Sequence, residues 1–502
     1  MSEIGPTSAP GSVADSPAAA RTRGLSIVEG AAWSVMYGFG DSYLSPFALR
    51  LGAGNRAMAA LGTMPLVIGA FAQVAGAHVA ERTGRRKPIL VATTAAQALT
   101  YVLLYAGALA WPSRAVTWVL LLGAALAWLG SFGTAAWTSW MGDVTGDQDR
   151  ARYFARRNSV VMVTLTASML LAAGTLSWFR NAGRVMAGFG VLFLTAATAR
   201  GISSWLLSRH WEPPMARMPD AGFSFWDFLR RAPRSNFAKF SFLVAMMNGA
   251  TNVAGPFFSV YMLRDLRWTY AQFTLNTVVQ LLAQMAAYRW WGTICDRHGS
   301  RVAIKAASIL LPILPILWAI TTDFYMLLFA QVLSGLTWAG FNLATTNFIY
   351  DAVTPAKRAR VVSYHGLLNA VFTLVGANVI GAALAESLPN EFAFGPWQVR
   401  LVSSLPLVFI ASGLLRIAIA VVMLPRFREV RPVERVSTWA ILRRFGSGEP
   451  VLMAGLDLIQ RLPRFVRLVP PHAGPAQPTP TAASQREAAQ GAPDHASDHR
   501  DP

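Results

Sequence analysis

The chain alternates long apolar runs with short charged turns, and that alternation leaves few folds open. Runs near 26–47, 57–80, 88–109, 115–141, 159–178, 185–207, 240–262, 270–291, 302–319, 324–350, 361–384 and 401–424 are each long enough to cross a ~30 Å hydrocarbon layer as a helix of ~20 residues. Backbone amides and carbonyls find no water there, so such runs must close their hydrogen bonds internally as helices. The expected fold class is an all-α membrane protein with about twelve transmembrane helices in two sets of about six. Of the 502 residues 54% are hydrophobic and only 14% charged, too apolar for a soluble domain of this size. The net charge of +19 does not imply nucleic acid as a partner, because the basic residues sit in short loops and form no stripe with stacking aromatics.

Loop charges set an orientation. Arg82, Arg85, Arg86 and Lys87, then Arg150, Arg152, Arg156 and Arg157, then Arg230, Arg231, Arg234 and Lys239, with Arg297, Arg301, Lys357, Arg358 and Arg360, fall on one side. The other side carries the thinner set Arg50, Arg56, Arg114, Arg180, Arg184, Arg264, Arg267 and Arg400. The first side is expected to be cytoplasmic, with both termini there, which makes this a multi-pass protein of the cell (inner) membrane. Residues 1–25 lack the short apolar core of a signal peptide and read as a disordered tail. The expected organisation is a bundle at 26–208, a linker at 209–239, a bundle at 240–425 and a basic, largely disordered tail at 426–502. Within the linker, 223–231 reads as an interfacial amphipathic helix with arginines toward anionic lipid, and 450–468 has a similar mixture. The single Cys295 cannot form an internal disulfide and is read as structural.

Two short charged stretches are twins. Glu81, Arg82, Gly84 and Arg86 repeat as Asp296, Arg297, Gly299 and Arg301 at one spacing, 296 − 81 = 215. Asp143, Arg150 and Arg152 repeat as Asp351, Arg358 and Arg360, with 351 − 143 = 208. The pattern Gly-x-x-x-Asp-Arg-x-Gly-x-Arg is complete from Gly292 to Arg301 and departs at Ala77 and Glu81 in the first copy. It resembles the signature loop of the major facilitator superfamily, and the resemblance covers roughly residues 26–425. It implies two pseudo-symmetric six-helix bundles, with these loops joining helices 2 and 3 and helices 8 and 9.

The residues themselves suit a gate: Gly292 would let a neighbouring helix approach, Asp296 could face an arginine or a helix N-terminus, and Gly299 would allow a tight turn. The resemblance adds that such loops latch the halves on the cytoplasmic side. Carried onto this chain, Glu81 would meet Arg358 or Arg360 and Asp296 would meet Arg150 or Arg152; the bland alternative is that the arginines only enforce topology.

Charges within a span are costly and usually functional. Glu29, Trp33, Tyr37 and Asp41 recur every four residues, so a continuous first helix would place them on one face. Asp41 lies deeper than Glu29 and is the better candidate for proton coupling; the alternative is a packing carboxylate bonded to Ser42 or Tyr43. Uncharged polar stripes recur elsewhere: Trp128, Ser131, Thr134 and Trp137; Asn248 and Asn252; Asn276, Gln280 and Gln284; Gln331, Trp338 and Asn342; and Asn369. The resemblance places these helices around a central cavity, where amides and rings suit a neutral or weakly charged solute, although such residues also join helices. Arg200 and Arg416 are twins as well (416 − 200 = 216), and snorkelling or pairing with an acid such as Asp143 or Asp351 is expected of them rather than contact with a solute.

The helix-5 and post-helix-6 marks of drug/proton antiporters and sugar porters are absent, which leaves the subfamily open. No P-loop, metal-ligand cluster or nucleophile-base constellation stands out, so no enzyme, catalytic residue or metal site is expected. The expected function is secondary active transport of a small neutral or weakly charged organic solute by alternating access, driven by an ion gradient, of protons, with no cofactor. The rivals are a non-transporting sensor or scaffold on the same fold and a lipid or amphiphile transporter. The expected partners are the solute and the lipid bilayer; oligomeric state is not readable.

Overall fold

The structure is a computed structural model and describes residues 16–214, 235–353, 355–389, 391–394, 397–400, 402–434, 436–453 and 455. Met1–Val451 form one compact unit. A second unit, Leu452–Pro502, lies almost wholly outside the described residues, as do the expected amphipathic stretch at 223–231 and nearly all of 450–468.

The described parts of the apolar runs read from the sequence are mainly helical. The first half holds α1 (Pro17–Phe39), α2 (Leu44–Arg50), α3 (Asn55–Thr83), α4 (Lys87–Ala110), α5 (Ala115–Phe132), α6 (Thr134–Asn181) and α7 (Val185–Ser208). The second holds α8 (Asn236–Ala254), α9 (Phe257–Val260), α10 (Tyr270–His298), α11 (Ser300–Leu310), α12 (Ile313–Ile320), α13 (Phe324–Ala352), α14 (Pro355–Leu374), α15 (Ala382–Ser387) and α16 (Leu405–Met423). Among the described residues nine helices are long and apolar enough to cross a membrane. The other three expected spans are more polar or interrupted: α1 breaks at Gly40, α8 breaks at Gly255, and α10 carries Gln272, Asn276, Gln280 and Gln284.

Two further departures are local. Helical backbone runs unbroken through 143–152, where a loop was expected; the stretch contains no proline and little that opposes a helix. A two-stranded hairpin, β1 (Glu391–Phe394) with β2 (Trp397–Arg400), precedes α16, pairing Glu391 with Arg400 around a Gly-Pro turn signal in the sequence.

Packing follows the two sets. Helix α1 lies against α6 and α7, α3 against α5, and α4 against α5 and α7; α8 lies against α14 and α16, and α10 against α13. The sets meet where α3 packs on α14 and α6 on α10. Small residues allow the closest approaches. At Gly376, in a π-helical turn (Val375–Gly381), a Cβ would overlap the backbone of Gly249, and at Gly76 it would overlap Phe132. After α16 the chain folds back instead of leaving the body: Phe427 is fully buried, and α17 (Thr438–Gly446) buries Ile441 and sets Phe445 about 6.0 Å from Trp290.

Candidate functional site: a polar cavity between the two halves

The first span is not one helix. It stops at Phe39, makes a 3-10 turn from Asp41 to Tyr43 and resumes as α2. Gly40 makes the break possible, because a Cβ there would stand 2.7 Å from the Tyr101 ring and 2.8 Å from the Met36 carbonyl. Asp41 therefore leaves the helical face of Trp33 and Tyr37, and its carboxylate accepts a hydrogen bond of 2.5 Å from the Tyr101 hydroxyl. Trp33 and Tyr37 stay on α1 with ring centroids 5.4 Å apart. All three line a cavity of about 370 Å³, together with Gln97, Ser131 and Arg200.

The structure corrects the expectation for Arg200. It is 7% exposed; its Nε donates to Gln97 Oε1 at 2.7 Å and its Nη1 to Ser203 at 3.1 Å. Ser203 in turn donates to Glu29 Oε1 at 2.9 Å, and Glu29 pairs with Arg157 at 3.3 Å. Glu29 is thus a buried member of a network rather than a cavity-facing group, and Arg157 also lies 4.4 Å over the Trp137 ring. Arg200 stands close enough to Asp41 for the two charges to interact. One carboxylate, one guanidinium and one amide share a wall. Asp143 and Asp351, the expected partners of Arg200 and Arg416, pair with Arg86 and Arg431 instead. Arg416 is 2% exposed and donates to the Leu311 carbonyl at 2.8 Å.

A second cavity, of about 540 Å³, meets the first at Pro65 and Ser131 and is lined from the other half by Asn248, Asn252 and Asn369. Asn248 donates to Asn369 Oδ1 at 2.6 Å, Asn369 lies 3.1 Å from His365 Nε2, and His365 lies 3.1 Å from Ser241. Its helix, α8, breaks at Gly255, the counterpart of Gly40 at the offset of the twin loops (255 − 40 = 215). Interrupted helices at matching places in two repeats are where such folds put a site, since freed backbone groups are tolerated only beside a cavity.

Other expected site residues lie elsewhere. Gln280 accepts from Gln331 at 2.8 Å and donates to Ser334 at 3.3 Å, which joins α10 to α13. Gln284 bonds Tyr288, Asn276 is buried against Met262, Trp338 packs on Phe341, and Trp128 and Asn342 are exposed. None of these lines either cavity, nor does Trp137.

The twin loops form a second site. Gly84 and Gly299 both adopt positive φ (65° and 86°), and Arg86 and Arg301 begin the next turn of chain. Arg86 is fully buried, donating to Asp143 at 2.7 Å, Ser139 at 3.0 Å and the Pro213 carbonyl at 2.9 Å. Glu212 accepts from the backbone N–H groups of Arg86 and Lys87. In the second copy Glu429 accepts from the Arg301 N–H at 2.7 Å, again an acid just past a half's last span (429 − 212 = 217). Arg301 does not repeat the ion pair: its guanidinium lies 5.7 Å over the Phe427 ring, and Arg431 takes Asp351 at 3.3 Å and the Cys295 carbonyl at 2.8 Å. Glu81, Arg82, Asp296 and Arg297 are exposed, and the side chains of Arg150, Arg152, Arg358 and Arg360 lie outside the described residues. Gly292 does not mark a close approach, since a Cβ there would meet only Leu343 at 4.0 Å; the tight glycine is Gly340, against Trp291.

Known proteins add an independent line. The family model described as Major Facilitator Superfamily matches residues 240–463. A putative transporter from Caenorhabditis elegans, svop-1, is 31% identical over 138 residues, 27% of this chain and 25% of that protein, so the chain spans about a quarter of the length of the curated relative it matches. Among solved structures, a variant of the nucleoside transporter NupG aligns with TM-score 0.62 at 13% identity, over 81% of this chain and 100% of that one. A POT family transporter in complex with 5-aminolevulinic acid gives 0.61 at 13%, over 80% and 96%, and a bacterial homologue of the iron transporter ferroportin in an inward-facing state gives 0.60 at 14%, over 81% and 99%. These likenesses carry the fold across both halves, and the family model covers most of the second. Together they show a fold shared with solved transporters across both halves and a likeness to the Major Facilitator Superfamily model over the second.

Proposed function

We propose that the protein is a secondary active transporter that moves a small neutral or weakly charged organic solute across the cell membrane by alternating access, coupled to protons through Asp41. The observation that carries this reading is a cavity inside the first half that meets, at Pro65 and Ser131, a second cavity lined by both halves, with a helix break beside each. A site reached from both halves is what rocking halves can expose to either side in turn. The amides of Asn248, Asn252 and Asn369 suit hydrogen-bonding groups, and the Trp33 and Tyr37 rings suit an apolar face. Asp41 beside Arg200 suits a solute with at most one charge of each sign. Protonation of Asp41 would weaken its attraction to Arg200 and free the guanidinium for the solute, which links the two loads. Both termini are assigned to the cytoplasm, and the energy source is an ion gradient with no cofactor.

The test is thermal stability of the purified protein against sugars, polyols, amino acids, nucleosides and cationic amphiphiles at two pH values, repeated on Asp41→Asn. A ligand that binds only the folded state raises the melting temperature by mass action. A pH-dependent hit whose pH dependence disappears in Asp41→Asn is the expected result; a hit with unchanged pH dependence would remove Asp41 from the coupling.

A further inference from the structure

Four arginines gather around a third cavity, of about 600 Å³, at the end of the molecule opposite the twin loops. Arg50 and Arg180 come from the first half, Arg264 and Arg267 from the second, and Tyr270 lines the cavity with them. Arg264 is neutralised: its Nε and Nη2 bond Asp265 at 2.6 and 3.3 Å, and its Nη1 reaches across the halves to Asn55 at 3.1 Å. Arg50, Arg180 and Arg267 have no carboxylate partner among the described residues. Arg50 and Arg267 are exposed and Arg180 is half-buried, and all three line the same cavity.

The backbone supports this arrangement at a cost. Tyr261–Asp265 is a π-helical turn, and Arg267 is the one non-glycine with positive φ (54°) among the described residues. A long side chain in the left-handed region is unfavourable where glycine would be free, and such outliers persist where the local geometry is needed. Here the turn aims Arg267 at the same pocket as Arg50 and Arg180. Like charges held together repel one another unless a counter-charge offsets them.

We propose that this rim pocket is an oxyanion site, taking a phosphate, sulfate or carboxylate group that bridges the two halves. Donors from both halves on one anion tie that face shut. Read with the alternating-access proposal, occupancy favours the conformer that opens on the side of the twin loops; the binding itself does not rest on that proposal.

The experiment uses the full-length protein in phosphatidylcholine nanodiscs, with inorganic phosphate and citrate titrated against sodium chloride of matched ionic strength. The expected result is a rise in melting temperature of about 2 °C or more over the chloride control. Arg50→Gln should diminish the rise, and Arg56→Gln, outside the pocket, should keep it. Arg267→Gly keeps the backbone conformation at no steric cost, so it should fold at least as well as the parent and lose the anion response. Equal shifts in chloride, or an undiminished response in both Arg50→Gln and Arg267→Gly, would overturn the site. Nanodiscs containing phosphatidylglycerol distinguish the source. A melting temperature already raised there before phosphate is added, with the phosphate response pre-empted and the rise lost in Arg267→Gly, assigns the anion to a lipid headgroup; a response equal in both lipids assigns it to a soluble anion.

Discussion

Arg200 and Arg416 show how a residue's chemistry can be legible while its role is not. Each stands in an apolar helix, which marks it as costly from sequence alone. Their neighbours are set by contacts 103 and 105 residues away, which no local pattern encodes. Gln97, Tyr101 and Ser203 were missed for the same reason; a polar residue every three to four positions along 94–101 was the only available signal. The two arginines should respond differently to removal. Arg200→Leu strands Gln97 and Ser203 and leaves Asp41 without its nearby cation, so a loss of about 1–3 kcal/mol is expected, with solute-dependent stabilisation abolished. Arg416 donates one bond, to the Leu311 carbonyl, and its Nε has no partner among the described residues, so Arg416→Leu should be near neutral or raise the melting temperature. Melting curves of the two variants, with and without a solute found by the stability screen, check both. An Arg200→Leu protein that is as stable as the parent and still responds to solute would detach the guanidinium from the site.

At the scale of elements, the apolar runs dictated helices because lipid admits nothing else, and the described parts of the expected runs are mainly helical, nine of the helices being long and apolar enough to cross a membrane. The turns were legible through glycine. Gly84 and Gly299 both take positive φ, as the twin loops require. What could not be read were the acids that cap them, Glu212 and Glu429, which lie beyond the last span of each half and reach back 126 and 128 residues. The interruptions at Gly40 and Gly255 were hidden too, because an i, i+4 stripe continues through Asp41 as if the helix did. Two alanine substitutions grade the cost at these turns, since Gly84 is left-handed (ψ 13°) while Gly299 is extended at positive φ (ψ 162°), a region nearly closed to other residues. At Gly84 a Cβ meets nothing within 4 Å, so Gly84→Ala should cost only the left-handed penalty, about 1–2 kcal/mol. At Gly299 the Cβ would also strike the Glu429 carboxylate, so Gly299→Ala should cost more and loosen the segment around Phe427. Proteolysis rates near 425–446, beside melting temperatures, read the second effect; equal losses at the two glycines would mean that neither the extended conformation nor the Glu429 contact adds anything.

At the scale of the whole molecule, the polar contacts between the halves among the described residues are concentrated at one end. The Tyr43 hydroxyl lies 2.7 Å from Thr274 Oγ1 in a buried contact, Arg56 pairs with Glu386 at 2.7 Å, and Asn378 donates to Thr63 at 2.7 Å. Phe189 and Tyr270 stack edge to face at 5.8 Å beside them. The two-fold repeat was readable from the spacing of the loops, but the conformer was not, since one sequence must be compatible with every state that it visits. These contacts differ in worth. Arg56 is 81% exposed and its pair contributes little, whereas the Tyr43–Thr274 bond is shielded from water. Tyr43→Phe removes this bond and a longer one of 3.4 Å to the Met169 carbonyl within the first half; the loss across the halves, about 1 kcal/mol, shifts a two-state balance roughly fivefold toward opening of that face. Spin labels on the turns at 51–54 and 386–389 should show the longer separation gaining population in Tyr43→Phe and hardly at all in Arg56→Gln. If both variants leave the distance distribution of the parent protein, the halves are held by apolar packing around Phe189 and Tyr270, and the hydrogen bonds across that face only set its register.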